Sequence, residues 1–216
     1  MKKWYSRLAD VPGIEYSGSP EVDRASLPEH DAKPELRIQI LEGKRSESLW
    51  WESTTASPAA RWQTTPLPSE TTAQTIVRRC HEALELPGTL TDYHFIIQRA
   101  HEELWKHRHH EPWTVAETER LCWLHVRLVR ACGGAIISPE NNEGVEHPPV
   151  VAFQRLVEMY EQDGYLREAL VVARLAIRFN QSHLQQPRPP HLRRGPRATL
   201  ERLEKKIKAL EAEDDA

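Results

Sequence analysis

FQRLVEMYEQDGYLREALVVARLAIRF, running from Phe153 to Phe179, reads as a helix, a glycine turn and a second helix. Leu156, Met159 and Tyr160 recur at the three- and four-residue steps that place side chains on one helical face. Ala169, Val172, Ala173 and Ala176 do the same on the second helix. Those small residues let two helix axes approach closely, with Tyr160 filling the space they leave. Gly164 gives the backbone freedom that a tight connection needs. This reading sets the fold class as all-α, built from helical hairpins.

Working outward, the same periodicity recurs. Ala73, Ile76, Val77, Cys80, Ala83 and Leu84 form the stripe of a helix over 69–86, stopped by Pro87-Gly88. Asp92 is expected to cap a helix over 92–110 with the stripe Tyr93, Ile96, Ile97, Ala100 and Leu104. A further helix over 114–132 opens with Thr114 and Glu117 at capping-box spacing, carries Leu121, Leu124 and Leu128, and ends at Gly133-Gly134. A long polar loop, ISPENNEGVEHP, precedes the hairpin, and a Pro/Arg-rich connector, QPRPPHLRRGPR, follows it. The last helix, Ala198 to Glu213, sets Leu200, Leu203, Ile207 and Leu210 on one seam, too short for a coiled coil.

Residues 1–68 lack helical periodicity. Leu36, Ile38 and Ile40 alternate with Arg37 and Gln39, and Gly43–Ser46 can turn the chain into Leu49–Trp51, which predicts one small β-hairpin. STTASPAARWQTTPLPS then reads as a linker, with Trp62 as an anchor. The expected organisation is an irregular N-terminal arm and linker (1–68), a helical core (69–182), and a hinge with a separate C-terminal helix (183–216).

The 150–182 segment resembles a tetratricopeptide repeat, a helix–turn–helix unit of about 34 residues. The likeness rests on Phe153, Leu156, Tyr160, Gly164, Glu168-Ala169 and Ala176, and covers about 30 of 216 residues. Val157, Ala173 and Gln181 depart from the family pattern. An ordinary antiparallel helix pair uses the same packing chemistry. One repeat cannot bury its own apolar face, so 92–110 and 114–132 would form a divergent second hairpin, with Gln98-Arg99 echoing Gln154-Arg155. The resemblance implies a non-catalytic interaction module or adaptor whose concave face presents Gln154, Glu158, Glu161 and Gln162. That face is acidic and polar, fitting a basic or neutral protein or peptide partner. A solvated helix face has the same composition.

Other chemistry is weakly signalled. Net charge is −3, from 29 basic and 32 acidic residues, so no global field favours nucleic acid or membrane. A local basic run includes Arg193, Arg194 and Arg197 and could contact phosphates or an acidic partner, but no aromatics are interleaved to stack on bases. Nucleic-acid association through 188–208 is therefore the alternative function. Glu35, Glu42 and Lys44 faintly suggest a Mg²⁺-dependent nuclease, with too few residues between the carboxylates. His101, His107, His109 and His110 crowd one helix end, with His94 two turns earlier; no HExxH occurs. The expectation is a surface cluster favoured by the helix dipole, with no metal and no cofactor. Cys80, Cys122 and Cys132, with no CxxC spacing, predict buried free thiols in a cytoplasmic protein.

Overall fold

The computed structural model describes residues 8, 11, 13–52, 54–65, 71–132, 150–183 and 195–214. Among these residues it holds β1 (Glu35–Leu41), β2 (Lys44–Trp50), α1 (Pro58–Thr64), α2 (Ala73–Glu85), α3 (Leu90–His107), α4 (Trp113–Cys132), α5 (Val151–Gln162), α6 (Leu166–His183) and α7 (Pro196–Asp214). The fold is mostly helical with one two-stranded antiparallel sheet. The chain divides into two compact units, Met1–Glu146 and His147–Ala216.

In the first unit, α3 packs on α4 and α2 packs on α3. The sequence stripes form this core: Ile76, Cys80, Ala83 and Leu84 from α2, Tyr93, Ile96, Ile97 and Leu104 from α3, and Leu121, Leu124 and Leu128 from α4 are buried. The caps differ from expectation. Thr89, not Asp92, is the N-cap of α3, and Asp92 closes the capping box at the third position. Asp92 Oδ2 accepts from the Thr89 amide at 2.7 Å and from Ser57 Oγ at 2.8 Å, so one carboxylate serves two helix starts. Thr114 lies inside the first turn of α4 and donates to the Glu111 carbonyl, while Glu117 pairs with Arg120, so no capping box forms there.

The stretch read as a linker contains α1. Ser57 caps it by accepting from the Ala60 amide, and Pro58 occupies a first-turn site where no amide donor is required. Trp62 anchors it as a polar contact: its indole N–H donates to Glu82, and the Arg79 guanidinium lies 3.9 Å from the ring centroid. Gly88 permits the approach of α1, because a Cβ there would lie 2.8 Å from Ala59 Cβ and 3.2 Å from Tyr93 Cε1. Gly88→Ala is therefore expected to destabilise by about 1–3 kcal/mol, read as a lower urea midpoint with an unchanged slope.

Among the described residues the arm that precedes the hairpin is packed and includes a 3₁₀ turn at Arg24–Ser26. Ile14, Tyr16, Val22 and Leu27 are buried, and Arg24 reaches the buried Glu85 at the end of α2.

The second unit begins with the hairpin that set the fold class. Gly164 adopts φ 81°, the Tyr165 amide bonds the Tyr160 carbonyl at 2.7 Å, and the Gly164 amide bonds that of Glu161. This is a Schellman closure, which satisfies carbonyls the helix end leaves open. Phe153 and Phe179, the two ends of the stretch, meet with ring centroids 5.6 Å apart. Val157 and Ala173 are both buried in the seam, whereas Tyr160 is half-exposed. Helix α7 packs along α6 within the same unit. Arg167–Glu211 and Arg174–Glu204 contacts fix an antiparallel register. Leu203 is fully buried, while Leu210 remains 46% exposed, so the α7 seam is covered only in part.

Candidate functional site

The expected partner face lies on α5. Gln154, Glu158, Glu161 and Gln162 fall within one broad helical face by their spacing. Gln154 donates its amide to Glu158 Oε1 at 2.8 Å, and Arg155 Nη1 donates to Glu158 Oε2 at 2.7 Å. Gln162 is exposed at the helix end. Glu161 is engaged differently. Both guanidinium nitrogens of Arg202 donate to its carboxylate, and Lys206 Nζ approaches at 3.5 Å. Arg202 and Lys206 stand four residues apart on α7, one turn, so a single helix face delivers both cations. The Arg202 hydrogen bonds, then the nearby positive charges, hold the Glu161 carboxyl below its usual range.

The acidic face thus already receives a basic helix, supplied by the same chain. The sequence carried the charges but not the pairing. Arg197 is exposed in the first turn of α7, and Arg193 and Arg194 lie outside the described residues.

The histidine cluster divides. His109 and His110 are exposed, as expected of a helix end, and His107 sits 3.6 Å from Glu111. His94 and His101 are not at the surface. Both are fully buried with His125 of α4, a residue the sequence reading did not single out. His125 Nε2 lies 2.7 Å from His94 Nδ1, and His125 Nδ1 lies 3.4 Å from His101 Nε2. The signal was available: His94 and His101 are seven residues apart, two turns, and His125 falls four after Leu121 in the α4 stripe.

A neutral imidazole has one N–H and one acceptor nitrogen, so His125 donates to one neighbour and accepts from the other. His94 Nε2 is buried without a hydrogen-bond partner among the described residues. Because His125 uses both nitrogens on other imidazoles, the three do not converge on one point. Among the described residues no group of histidine, cysteine or acidic side chains is arranged to hold a metal. Burial pushes the His94 imidazole down to about 4. Burial and then the two flanking histidines push His125 well below its usual value.

Two further clusters carry no activated nucleophile or base. A cleft of about 370 Å³ between α1, α2 and α3 is floored by Ile76, Cys80, Ile96 and Ala100. Burial there pushes the Cys80 thiol up to about 12, so it stays protonated. Arg120 donates to His81 Nε2 at 2.8 Å, and His81 Nδ1 lies 3.2 Å from the Tyr16 hydroxyl. Burial would raise the neighbouring Glu117 carboxyl, but the hydrogen bonds and positive charge of Arg120 outweigh it and hold it at about 2. Such a carboxylate is too weak a base to take a proton near neutrality. The hairpin places Glu35 at the far end of the seven-residue β1 from Glu42, about 20 Å along the strand, which is beyond sharing one Mg²⁺.

No family model, curated protein or solved structure matches this chain. No helix among the described residues is long and apolar enough to cross a membrane.

Proposed function

We propose that the chain is a non-catalytic protein-interaction module in the manner of a tetratricopeptide-like adaptor, with the α5 face around Gln154, Glu158 and Glu161 as its contact surface. The observation that supports this reading is the Glu161 clamp, in which an α5 carboxylate takes Arg202 and Lys206 from another helix. A partner segment with two cations one helical turn apart fits the same carboxylates by the same geometry. The partner is therefore a basic protein segment, and α7 occupies its place at Glu161 within the free chain.

The test is affinity capture from native extract with the full chain and with a Glu158→Lys/Glu161→Lys variant whose helicity matches the parent by circular dichroism. The variant is expected to lose the captured protein, with at least about tenfold weaker binding, or about 1.4 kcal/mol. Partners that survive the double reversal would remove the α5 surface. Salt-sensitive retention of unrelated DNA, weakened by Arg197→Glu, would move the function to the basic segment at 188–208 instead.

A further inference from the structure

We propose that β1 is a self-pairing strand, through which two copies of this chain join into one four-stranded antiparallel sheet. The inference starts from the hairpin turn. Glu42 and Gly43 both have positive φ, 52° and 79°, and Leu41 pairs with Lys44 across them. A two-residue turn of this kind makes the closing pair a hydrogen-bonded one, and the pairs alternate from there. Arg37 and Gln39 therefore bond to β2, while the amides and carbonyls of Leu36, Ile38 and Ile40 point away from it. Among the described residues the sheet has two strands, so β1 keeps that side as an edge.

The side chains of the same three residues share one face. Leu36 is 60%, Ile38 51% and Ile40 73% exposed, and their β2 neighbour Leu49 is 47% exposed. Proteins protect strand edges with charges or proline, and an edge without them invites pairing. On the β2 edge the exposed Arg45 is such a charge. On β1 the one cation, Arg37, turns to the opposite face, where its guanidinium lies 4.9 Å from the Trp50 ring centroid.

The occupant is a second copy because β1 complements itself about Ile38. With a two-fold axis there, Ile38 faces Ile38, Leu36 faces Ile40, and Arg37 faces Gln39 of the other copy. Every outward backbone group of the three residues then finds a partner, all apolar side chains stay on one face, and no like charges oppose. Neighbouring registers do worse. Centring on Arg37 sets two guanidinium groups directly opposite, which is destabilising. Centring on Gln39 leaves Leu36 against the turn. A one-residue slip mixes the two faces.

The test uses the full chain at high micromolar concentration, by light scattering coupled to size exclusion. The expected mass is twice the chain's 25.0 kDa. Ile38→Pro removes an amide that points away from β2, so the hairpin retains its own ladder while the pairing is lost. That variant is expected to elute as a 25.0 kDa monomer. Register is read by cross-linking in a Cys132→Ser background. Ile38→Cys should oxidise to a covalent dimer, since Cα atoms about 5.5 Å apart suit a disulfide. Leu36→Cys or Ile40→Cys alone should not, because each faces the other residue. A monomeric wild type, a dimer that survives Ile38→Pro, or equal cross-linking at Leu36 and Ile38 would overturn the proposal. So would a wild type that stays monomeric and takes a different protein's strand on β1.

Discussion

Lowering the pH from 7 to 5 is expected to remove about 2 kcal/mol of stability from the unit containing α3 and α4 through His94 alone, with His125 acting in the same direction, because unfolding lets both imidazoles take up protons that the fold excludes. An unfolded histidine takes up a proton near pH 6.5. In the fold, burial holds His94 neutral down to about 4, and burial with the flanking imidazoles holds His125 well below its ordinary value. No carboxylate offsets either shift among the described residues. The folded pKa is depressed, so the unfolded state binds more protons below pH 6.5, and stability rises with pH. The contribution is complete above about 6.5 and is lost as pH falls toward 4. His94 accounts for about 2 kcal/mol by pH 5, at a limiting slope of about 1.4 kcal/mol per pH unit per proton. Urea midpoints followed by tryptophan fluorescence at several pH values measure this. A His94→Leu/His125→Leu chain, which removes the bonded pair together, should show a flatter profile. Midpoints that hardly move between pH 7 and 5 in the parent would show that the triad is not neutral and buried as described.

The triad also marks where the sequence was legible and where it was not. Helical periodicity identified the stripes of α2, α3 and α4 because burial of one face dictates residue type at three- and four-residue steps. The imidazoles sit in those stripes, yet histidine is compatible with either face, and the neighbouring HRHH run pulled all of them toward a surface reading. The hairpin was visible through its alternation, but the turn is Glu42-Gly43, and β2 starts at Lys44 instead of after Ser46. Helix α1 spans seven residues, too few for periodicity to register, and its signal was the Ser57-Pro58 start. The Glu161–Arg202 pairing joins residues 41 apart in the chain. No local pattern specifies which carboxylate a distant cation meets; the packing of α7 against the α5–α6 hairpin does.

Glu85→Ala is expected to cost about 3–5 kcal/mol, the range for removing one partner of a buried ion pair. The Glu85 side chain is 0% exposed and that of Arg24 only 18%. Oε1 of Glu85 accepts from the Ser19 amide at 3.0 Å and from Arg24 Nη2 at 3.1 Å, and Oε2 accepts from Arg24 Nε at 3.0 Å. Arg24 also donates to the carbonyls of Ser19 and Val22, so one guanidinium folds the arm back on itself while binding it to α2. Alanine at position 85 would remove the carboxylate that this half-buried guanidinium meets on α2 and leave the Ser19 amide without its acceptor. Arg24→Ala should cost a similar amount by stranding the carboxylate in a site with no access to water. The double variant Arg24→Leu/Glu85→Leu should lose less than either single change, because neither an unpaired charge nor its desolvation cost remains. Denaturant unfolding of the four proteins gives the cycle, and limited trypsin digestion reads whether cleavage in the arm speeds up in the single variants. A cost under about 1 kcal/mol for both would place the pair with exposed ion pairs and would mean the arm is held mainly by its apolar residues, Ile14, Tyr16, Val22 and Leu27 among them. The bidentate geometry argues against that outcome: a flexible surface pair would not use both carboxylate oxygens and two backbone carbonyls at once.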